Sequence, residues 1–331
     1  MAAGDHILLA DIGGTNARFA LADAAADRPL LEDSVRIYPV TAFPSLGDAG
    51  RHYLQETGAR AARGVFAVAA RIEGDQARMT NHPWVVSRSR LCAQLELEDA
   101  LLVNDFAAQA MAIPLLRAGD YAILGGTPWE PGRDAGDRIQ AVIGPGTGLG
   151  VSALLVRGGE AHAIDTEGGH ASFPPGTPEE LAILDRLSAH FGRVSNERLV
   201  CGPGLVNIHR ALSEIAGEDP GPLTPPDITR LARGGDPRCM RAVDVFCAVF
   251  GAIAGDLVLT LGAWQGVFLT GGMVPAMLGE LQHSGFRQRF EHKGRFSPTM
   301  ARVPTVAVLH PEPGLLGAAA IARRGHRRAD G

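Results

Sequence analysis

Three short turns in this chain combine glycine with hydroxyl or acid side chains, and each follows an apolar run: DIGGTN at 11–16, GPGTG at 144–148 and LTGG at 269–272. Without a Cβ, consecutive backbone N–H groups can converge on the oxygens of a phosphate. Thr15 and Thr147 add hydroxyl donors beside Gly13, Gly14 and Gly146, and Gly271 and Gly272 repeat the pattern. Asp11 would repel a phosphate placed directly against it, so its carboxylate makes sense there with a cation between. A water-bridged Mg2+ is the hard, oxygen-seeking ion that suits it. Taken singly, each turn reads equally well as an ordinary β-turn. Neither a G-x-x-x-x-G-K-[ST] loop nor a G-x-G-x-x-G opening a helix is present. The turns are expected to open into strands, which makes a hairpin-based phosphate site.

A second set of residues is acidic. Asn104 and Asp105 close the apolar run LLV at 101–103 and begin a helix-like segment. The end of a strand facing a cleft is where α/β enzymes place chemistry, although Asp105 also reads as a helix N-cap. Glu167-Gly-Gly-His170 puts an acid and an imidazole on one tight turn. The carboxylate accepts hydrogen bonds from a pair of sugar hydroxyls, and a neutral histidine donates or accepts. A zinc site would require third and fourth ligands at suitable spacing, and the sequence offers none. Glu197, before the GPG at 202–204, reads on its own as a helix-start glutamate in the favourable dipole position.

The elements that must position these residues alternate between strand and helix. Apolar runs at 7–10, 17–22, 34–40, 65–70 and 100–103 read as strands. Segment 44–56 has helical periodicity with Leu46, Ala49, Tyr53 and Leu54 on one face, and 105–112 is a helix stopping before Pro114. The Gly- and Pro-rich tract 125–136 is a loop. Beyond it, strands at 139–143 and 151–156 flank the second glycine turn, so IQAVIGPGTGLGVSALL echoes HILLADIGGTNARFALA. Such an echo is what an internally duplicated, two-lobed chain would show. The remainder is largely helical: Thr177-x-x-Glu180 is a capping-box signature, 203–216 and 236–261 are helices, and 267–270 and 303–309 are strands before a last helix near 315–324. Tract 217–226 has no role assignable from sequence, and the arginines at 323–328 read as a solvated end. The whole is of the α/β class.

Composition narrows the functional classes. At 331 residues, the length suits about two domains of roughly 100–200 residues. A net charge of −5 gives no electrostatic case for nucleic acid or an anionic membrane as partner. The four cysteines, Cys92, Cys201, Cys239 and Cys247, lack C-x-x-C spacing, and three of them sit beside helix-like or apolar sequence, where they read as buried thiols. The N-terminal segment has no basic n-region of a secretory signal. The longest apolar stretch, 243–261, is interrupted by Asp244 and Asp256 and reads as a core helix. A cytoplasmic location is expected.

Taken together, DIGGTNARFAL, MTNHPW (79–84), VNDFAAQAMAIP (103–114), GPGTGLG, EGGH, CGPGLVNIHR (201–210), LTGGMVP (269–275) and PGLLGAA (313–319) resemble the bacterial glucokinase family, in the family's order and over nearly the whole chain. The resemblance implies the hexokinase branch of the actin-like ATPase superfamily, with its ribonuclease H-like, two-lobed fold around a central cleft. It implies an ATP-dependent hexose kinase acting in glycolysis with Mg2+, and a homodimer. Asp105 would be the catalytic base. Asn104, Asp105, Gly148, Glu167, His170 and Glu197 would bind glucose, and Ala10, Asp11, Ile12, Gly13, Gly14 and Thr15 would form the first phosphate loop. Residues 1–115 plus 306–331 would make a small lobe and 116–305 a large one. The related repressor–kinases carry a cysteine-rich zinc motif soon after the EGGH-like turn, whereas this chain has no cysteine between Glu167 and Cys201. A kinase for fructose or N-acetylmannosamine, or a sugar sensor without turnover, are the alternatives; the acids Asp11 and Asp105 argue against the sensor.

Overall fold

The computed structural model describes residues 6–79, 84–132 and 136–329. Residues 80–83 of the MTNHPW motif, 133–135 of the 125–136 loop and the side chains of Arg327 and Arg328 lie outside the described residues. The chain divides into two compact units: Met1–Arg117 with Ala161–Asp165 and His310–Gly331, and Ala118–Glu160 with Thr166–Leu309.

The first unit is built on a five-stranded sheet in the spatial order Leu30–Pro39, Asn16–Ala22, Ile7–Ile12, Arg63–Val68, Asp99–Asn104. Ile7–Ile12 is antiparallel to Asn16–Ala22 and parallel to Arg63–Val68, which is in turn parallel to Asp99–Asn104. Helix Leu46–Thr57 is capped by Ser45, which accepts from the Asp48 N–H, and ends at Gly58 with φ 64°. It buries Leu46, Ala49 and Tyr53, and the Tyr53 ring stacks on Phe19 of the sheet. On another side lie Asp105–Ala112 and the C-terminal helix Pro313–Ala329. The two helices touch, and at Gly317 an added Cβ would overlap the Ala108 carbonyl oxygen. A glycine is required there for the two backbones to touch.

The second unit repeats the plan. Arg138–Pro145 is antiparallel to Leu149–Arg157 and parallel to Val267–Leu269. The latter is parallel to Thr305–Val308, which pairs antiparallel with Tyr121–Gly125, a strand that ends where the 125–136 loop begins and that the sequence reading did not assign. Thr177 caps helix Pro178–Phe191 as expected, but the reciprocal half of the box is absent. Glu180 turns to the Gly176 N–H and to Arg289 at 3.0 Å, because its carboxylate is buried and needs a charged partner. Tract 217–226 acquires a role: Thr224 and Asp227 form a capping box that starts helix Pro225–Arg233, with Pro225 and Pro226 in its first turn.

Helix Pro237–Leu261, 25 residues, is long and apolar enough by length and composition to cross a membrane, and 67% of its most apolar window is buried inside the protein. Asp236 caps it. Phe246, Phe250 and Val258 lie in the core, while at Gly251 and Gly255 a Cβ would strike the carbonyls of Phe286 and Phe290. Those two glycines let helix Phe286–Glu291 lie directly on its backbone.

Candidate active site

In the first unit the parallel strands Ile7–Ile12, Arg63–Val68 and Asp99–Asn104 end level with one another: Ile12 pairs with Val68, and Val68 with Asn104. The DIGGTN turn and Asn104–Asp105 therefore leave the sheet at the same carboxyl end, two strand spacings or about 10 Å apart. The exit of the middle strand ties them together. The Ala69 N–H donates to the Ile12 carbonyl at 3.0 Å, and Asn104 Nδ2 donates to the Ala70 carbonyl at 3.5 Å.

The N-cap reading of Asp105 is corrected. Asn104 is the cap, its Oδ1 accepting from Phe106 and Ala107 N–H at 2.9 and 3.1 Å, and Asp105 is the first helical residue. Asparagine suits that job, which is worth about 1 kcal/mol. The Asp105 carboxylate thus stands in the first turn at the strand end without being the cap.

Around the first turn, Gly13 N–H closes the hairpin on the Asn16 carbonyl at 3.0 Å, and the Thr15 carbonyl accepts from Val40 N–H. Ala10 and Ile12 are buried in the sheet, Gly13 and Gly14 are half-buried, and Thr15 is exposed. Neither Gly13 nor Gly14 is among the described glycines with positive φ. A Cβ added at Gly13 would stand 3.8 Å from the Asn16 carbonyl oxygen, an ordinary contact, so the turn leaves open space on that side.

Two residues outside the sequence expectations complete this region. Arg18 Nε pairs with Glu312 Oε2 at 3.0 Å and Arg18 Nη1 stands 4.0 Å from Asp11 Oδ2. Asp11 and Glu312 are 15% and 14% exposed. Burial raises the Asp11 carboxyl above its ordinary range, opposed by Arg18; burial likewise raises Glu312, helped by Asp11 and opposed by Arg18. Two carboxylates thus face one guanidinium, and the excess negative charge would attract a cation. Among the described residues no group of three or more His, Cys, Asp or Glu could cage a metal. One or two carboxylates beside substrate phosphates is how Mg2+ is ordinarily held, so the donor set fits. Arg18 sits in the NARFAL run and Glu312 just before PGLLGAA; nothing local in either pattern links two residues so far apart in sequence.

In the second unit the turns at 144–148 and 269–272 leave neighbouring parallel strands, Ile143 being level with Leu269. A Cβ at Gly144 would overlap the Thr270 carbonyl. Gly271, with φ 85°, would bring a Cβ to 2.6 Å from the Pro145 carbonyl oxygen. The Gly146 N–H donates to the Gly148 carbonyl at 2.8 Å across Thr147. The third turn departs from expectation: Gly272 leads into the short helix Met273–Ala276 rather than a strand.

Glu167, His170, Glu197 and Gly148 converge. The Glu197 Oε2 accepts from Leu149 N–H at 2.9 Å, and a Cβ at Gly148 would stand 2.5 Å from that same oxygen. His170 lies between the acids, 3.9 Å from Glu197 through Nδ1 and 3.9 Å from Glu167 through Nε2. Those spacings are too long for direct hydrogen bonds, so the polar atoms face one another with capacity to spare. The two glycines of EGGH seat the turn: at Gly169 a Cβ would overlap the Leu149 carbonyl, and at Gly168 it would press on Val151. Short antiparallel pairing of Ser172 with Ser195, and Asn196 N–H to Ala171 O at 2.8 Å, bring Glu197 beside His170. Cys201 also acts here. Its thiol donates to the Glu197 carbonyl at 2.9 Å and caps helix Gly202–Ala216 by accepting from Gly204 N–H; burial pushes its pKa up to about 11.

A strand, a glycine turn and a returning strand, repeated in two sheets with a parallel neighbour each time, is the plan of the actin-like sugar kinases, and solved structures share it. The glucokinase of an Antarctic psychrotroph superposes with a TM-score of 0.83 at 33% identity, over 97% of this chain and 99% of that one. Glucokinase from Balamuthia mandrillaris, in complex with glucose, matches with a TM-score of 0.76 at 23% identity over 98% and 95%. In sequence, the glucokinase of Stenotrophomonas maltophilia (strain R551-3) is 66% identical over 330 residues, 100% of this chain and 98% of that protein. A model of the glucokinase family matches residues 8–325. The chain belongs to the glucokinase family.

Proposed function

We propose that this protein transfers the γ-phosphoryl group of ATP to the 6-hydroxyl of D-glucose. The observation that carries the reading is the convergence of Glu167, His170 and Glu197 beside Gly148. Two carboxylates and an imidazole, spaced to admit hydroxyls between them, match a polyol and leave little provision for an acetamido group. Glu197, one oxygen already fixed by Leu149 N–H, presents the other to the sugar. Asn104, its Oδ1 used as the helix cap and one amide hydrogen directed at the Ala70 carbonyl, keeps the other amide hydrogen to donate. Asp105 orients the 6-hydroxyl and takes its proton as the oxygen attacks phosphorus.

The residues of the glycine turns, Ala10–Thr15 with Gly146, Thr147, Gly271 and Gly272, bind the nucleotide phosphates. Asp11 holds Mg2+ through water, with Glu312 nearby; when bound, the ion neutralises charge on the phosphates. The proposal includes a small lobe of 1–115 plus 306–331, a large lobe of 116–305, a cytoplasmic homodimer and a place in glycolysis.

A coupled assay across hexoses and phosphoryl donors tests it. Glucose with ATP should give the highest kcat/KM. A site built on hydroxyl hydrogen bonds can reject an analogue that leaves them unpaired by up to about 10⁴–10⁵. A higher kcat/KM for fructose or N-acetylmannosamine would overturn the assignment.

A further inference from the structure

The C-terminal helix Pro313–Ala329 reaches both acids of the first unit. Glu312, the residue before it, is paired with Arg18, whose second nitrogen faces Asp11. Gly314, in the first turn, lies directly beneath the Asp11 carboxylate: a Cβ there would stand 2.5 Å from Oδ2, 2.6 Å from Cγ and 2.9 Å from Oδ1. Three residues further along, Gly317 backs onto the Ala108 carbonyl in the helix that begins at Asp105.

From this geometry we propose that Gly314, Arg18 and Glu312 form a cradle that positions the Asp11 carboxylate toward the magnesium–nucleotide complex, and that Gly317 separately positions the helix bearing Asp105. The inference rests on the reading of Asp11 as the magnesium-facing acid. These are positioning residues, since none is assigned a contact with reacting atoms. Asp11 projects from a strand held on both edges, so its backbone is fixed and only its side-chain torsions remain to be set. Bare Cα at Gly314 lets the carboxylate lie flat against the helix start, and a methyl group would turn it away. Arg18 Nε makes no hydrogen bond and the Asp11 oxygen stands 4.0 Å from Nη1, so the guanidinium acts on the two carboxylates through its charge, which links the Asp11 orientation to the point where the C-terminal helix begins. Partners behind a metal-facing group typically change metal affinity or activity by about 10–100-fold when removed.

The test uses the full chain and the affinities of ATP with magnesium and of ATP with a chelator, measured by calorimetry, together with kcat, glucose affinity and melting temperature. Gly314→Ala and Glu312→Gln should each lower the ratio of the two ATP affinities by about 10–100-fold with glucose affinity unchanged. Gly317→Ala should leave that ratio at the wild-type value and lower kcat by about tenfold or more, because misplacing a catalytic group by an ångström is costly. If Gly314→Ala and Glu312→Gln keep the wild-type ratio, the cradle is overturned while the reading of Asp11 stands. If wild type itself shows no preference for magnesium–ATP, the reading of Asp11 fails and the cradle falls with it. Variants that only melt earlier, with both ATP affinities and kcat intact, would assign the glycines to packing and overturn the proposal. Should Gly314→Ala not fold, Glu312→Gln, which conserves size, decides the question.

Discussion

The two sheets end in the same device, a strand that runs into a glycine turn and returns antiparallel, yet they present their polar groups in opposite ways. In the first unit the acids are enclosed: Asp11 and Glu312 are mostly buried, share one arginine and lie against a helix. In the second, Glu167 and His170 are 64% and 57% exposed and stand apart from their neighbours at 3.9 Å. What is rigid in the second unit is the backbone beneath the cluster, where glycines press on Leu149 and Val151. Burial suits groups that must be held for proton and charge handling, since fixed groups in a low dielectric act without reorganisation. Exposure with spare hydrogen-bonding capacity suits groups that wait for a ligand to complete them. Under the proposed function the first region carries the base and the magnesium-facing acid, and the second carries most of the sugar contacts.

The sharpest way to break that division is Asp105→Asn. If the first unit holds the chemistry, kcat should fall by at least about 10², the lower end of general-base contributions, with little change in glucose affinity. Steady-state kinetics and fluorescence titration of glucose on one preparation check this. A variant keeping more than about a tenth of wild-type kcat would remove Asp105 from the role of base. Its stability should hardly change, because the cap is Asn104.

Glu197→Gln probes the other side. Losing a hydrogen bond to a charged group costs about 1.5–3 kcal/mol, so KM for glucose should rise about 10–100-fold with a smaller effect on kcat. A fall in kcat at unchanged KM would place Glu197 in the chemistry and erase the contrast.

The smallest effect is expected at Cys201, which fixes Glu197 from behind. Its thiol is pushed up to about 11 from 9.0, so its neutral form is favoured by folding. That contribution is intact below pH 9 and is lost as pH rises through about 11. Denaturation midpoints should hold level to pH 9 and then decline, less steeply in Cys201→Ser than in wild type. Equal declines would mean that the thiol does not titrate as part of folding.

How much of this was legible beforehand depended on distance along the chain. The strand–turn–strand echo, helix Asp105–Ala112 and the Thr177 start were readable because hairpins and caps are local, set by residues within a turn of one another. Residue types alone did not show which of Asn104 and Asp105 is the cap, since both are good caps. The pairing of Arg18 with Glu312 and the approach of Gly317 to Ala108 join segments with no sequence proximity, and glycine leaves no periodic signal. The helix after Gly272 was read as a strand because a four-residue element, Met273–Ala276, is too short for periodicity to register. Of the site, the residue identities were legible, and the resemblance supplied Glu197; its fixation by Leu149 N–H and the Cys201 thiol was not.

The Gly251–Gly255 crossing has a consequence for synthesis. Helix Pro237–Leu261 is covered by Phe286–Glu291, a segment that leaves the ribosome after it. At about 5–20 residues per second, the nascent chain carries this helix of membrane-spanning hydropathy without its later cover for a few seconds, with the earlier helices Gly202–Ala216 and Pro225–Arg233 available to pack on it. During that interval it presents the kind of surface that chaperones and the membrane-targeting machinery compete to bind. A message truncated between the two segments would leave that competition without its natural end.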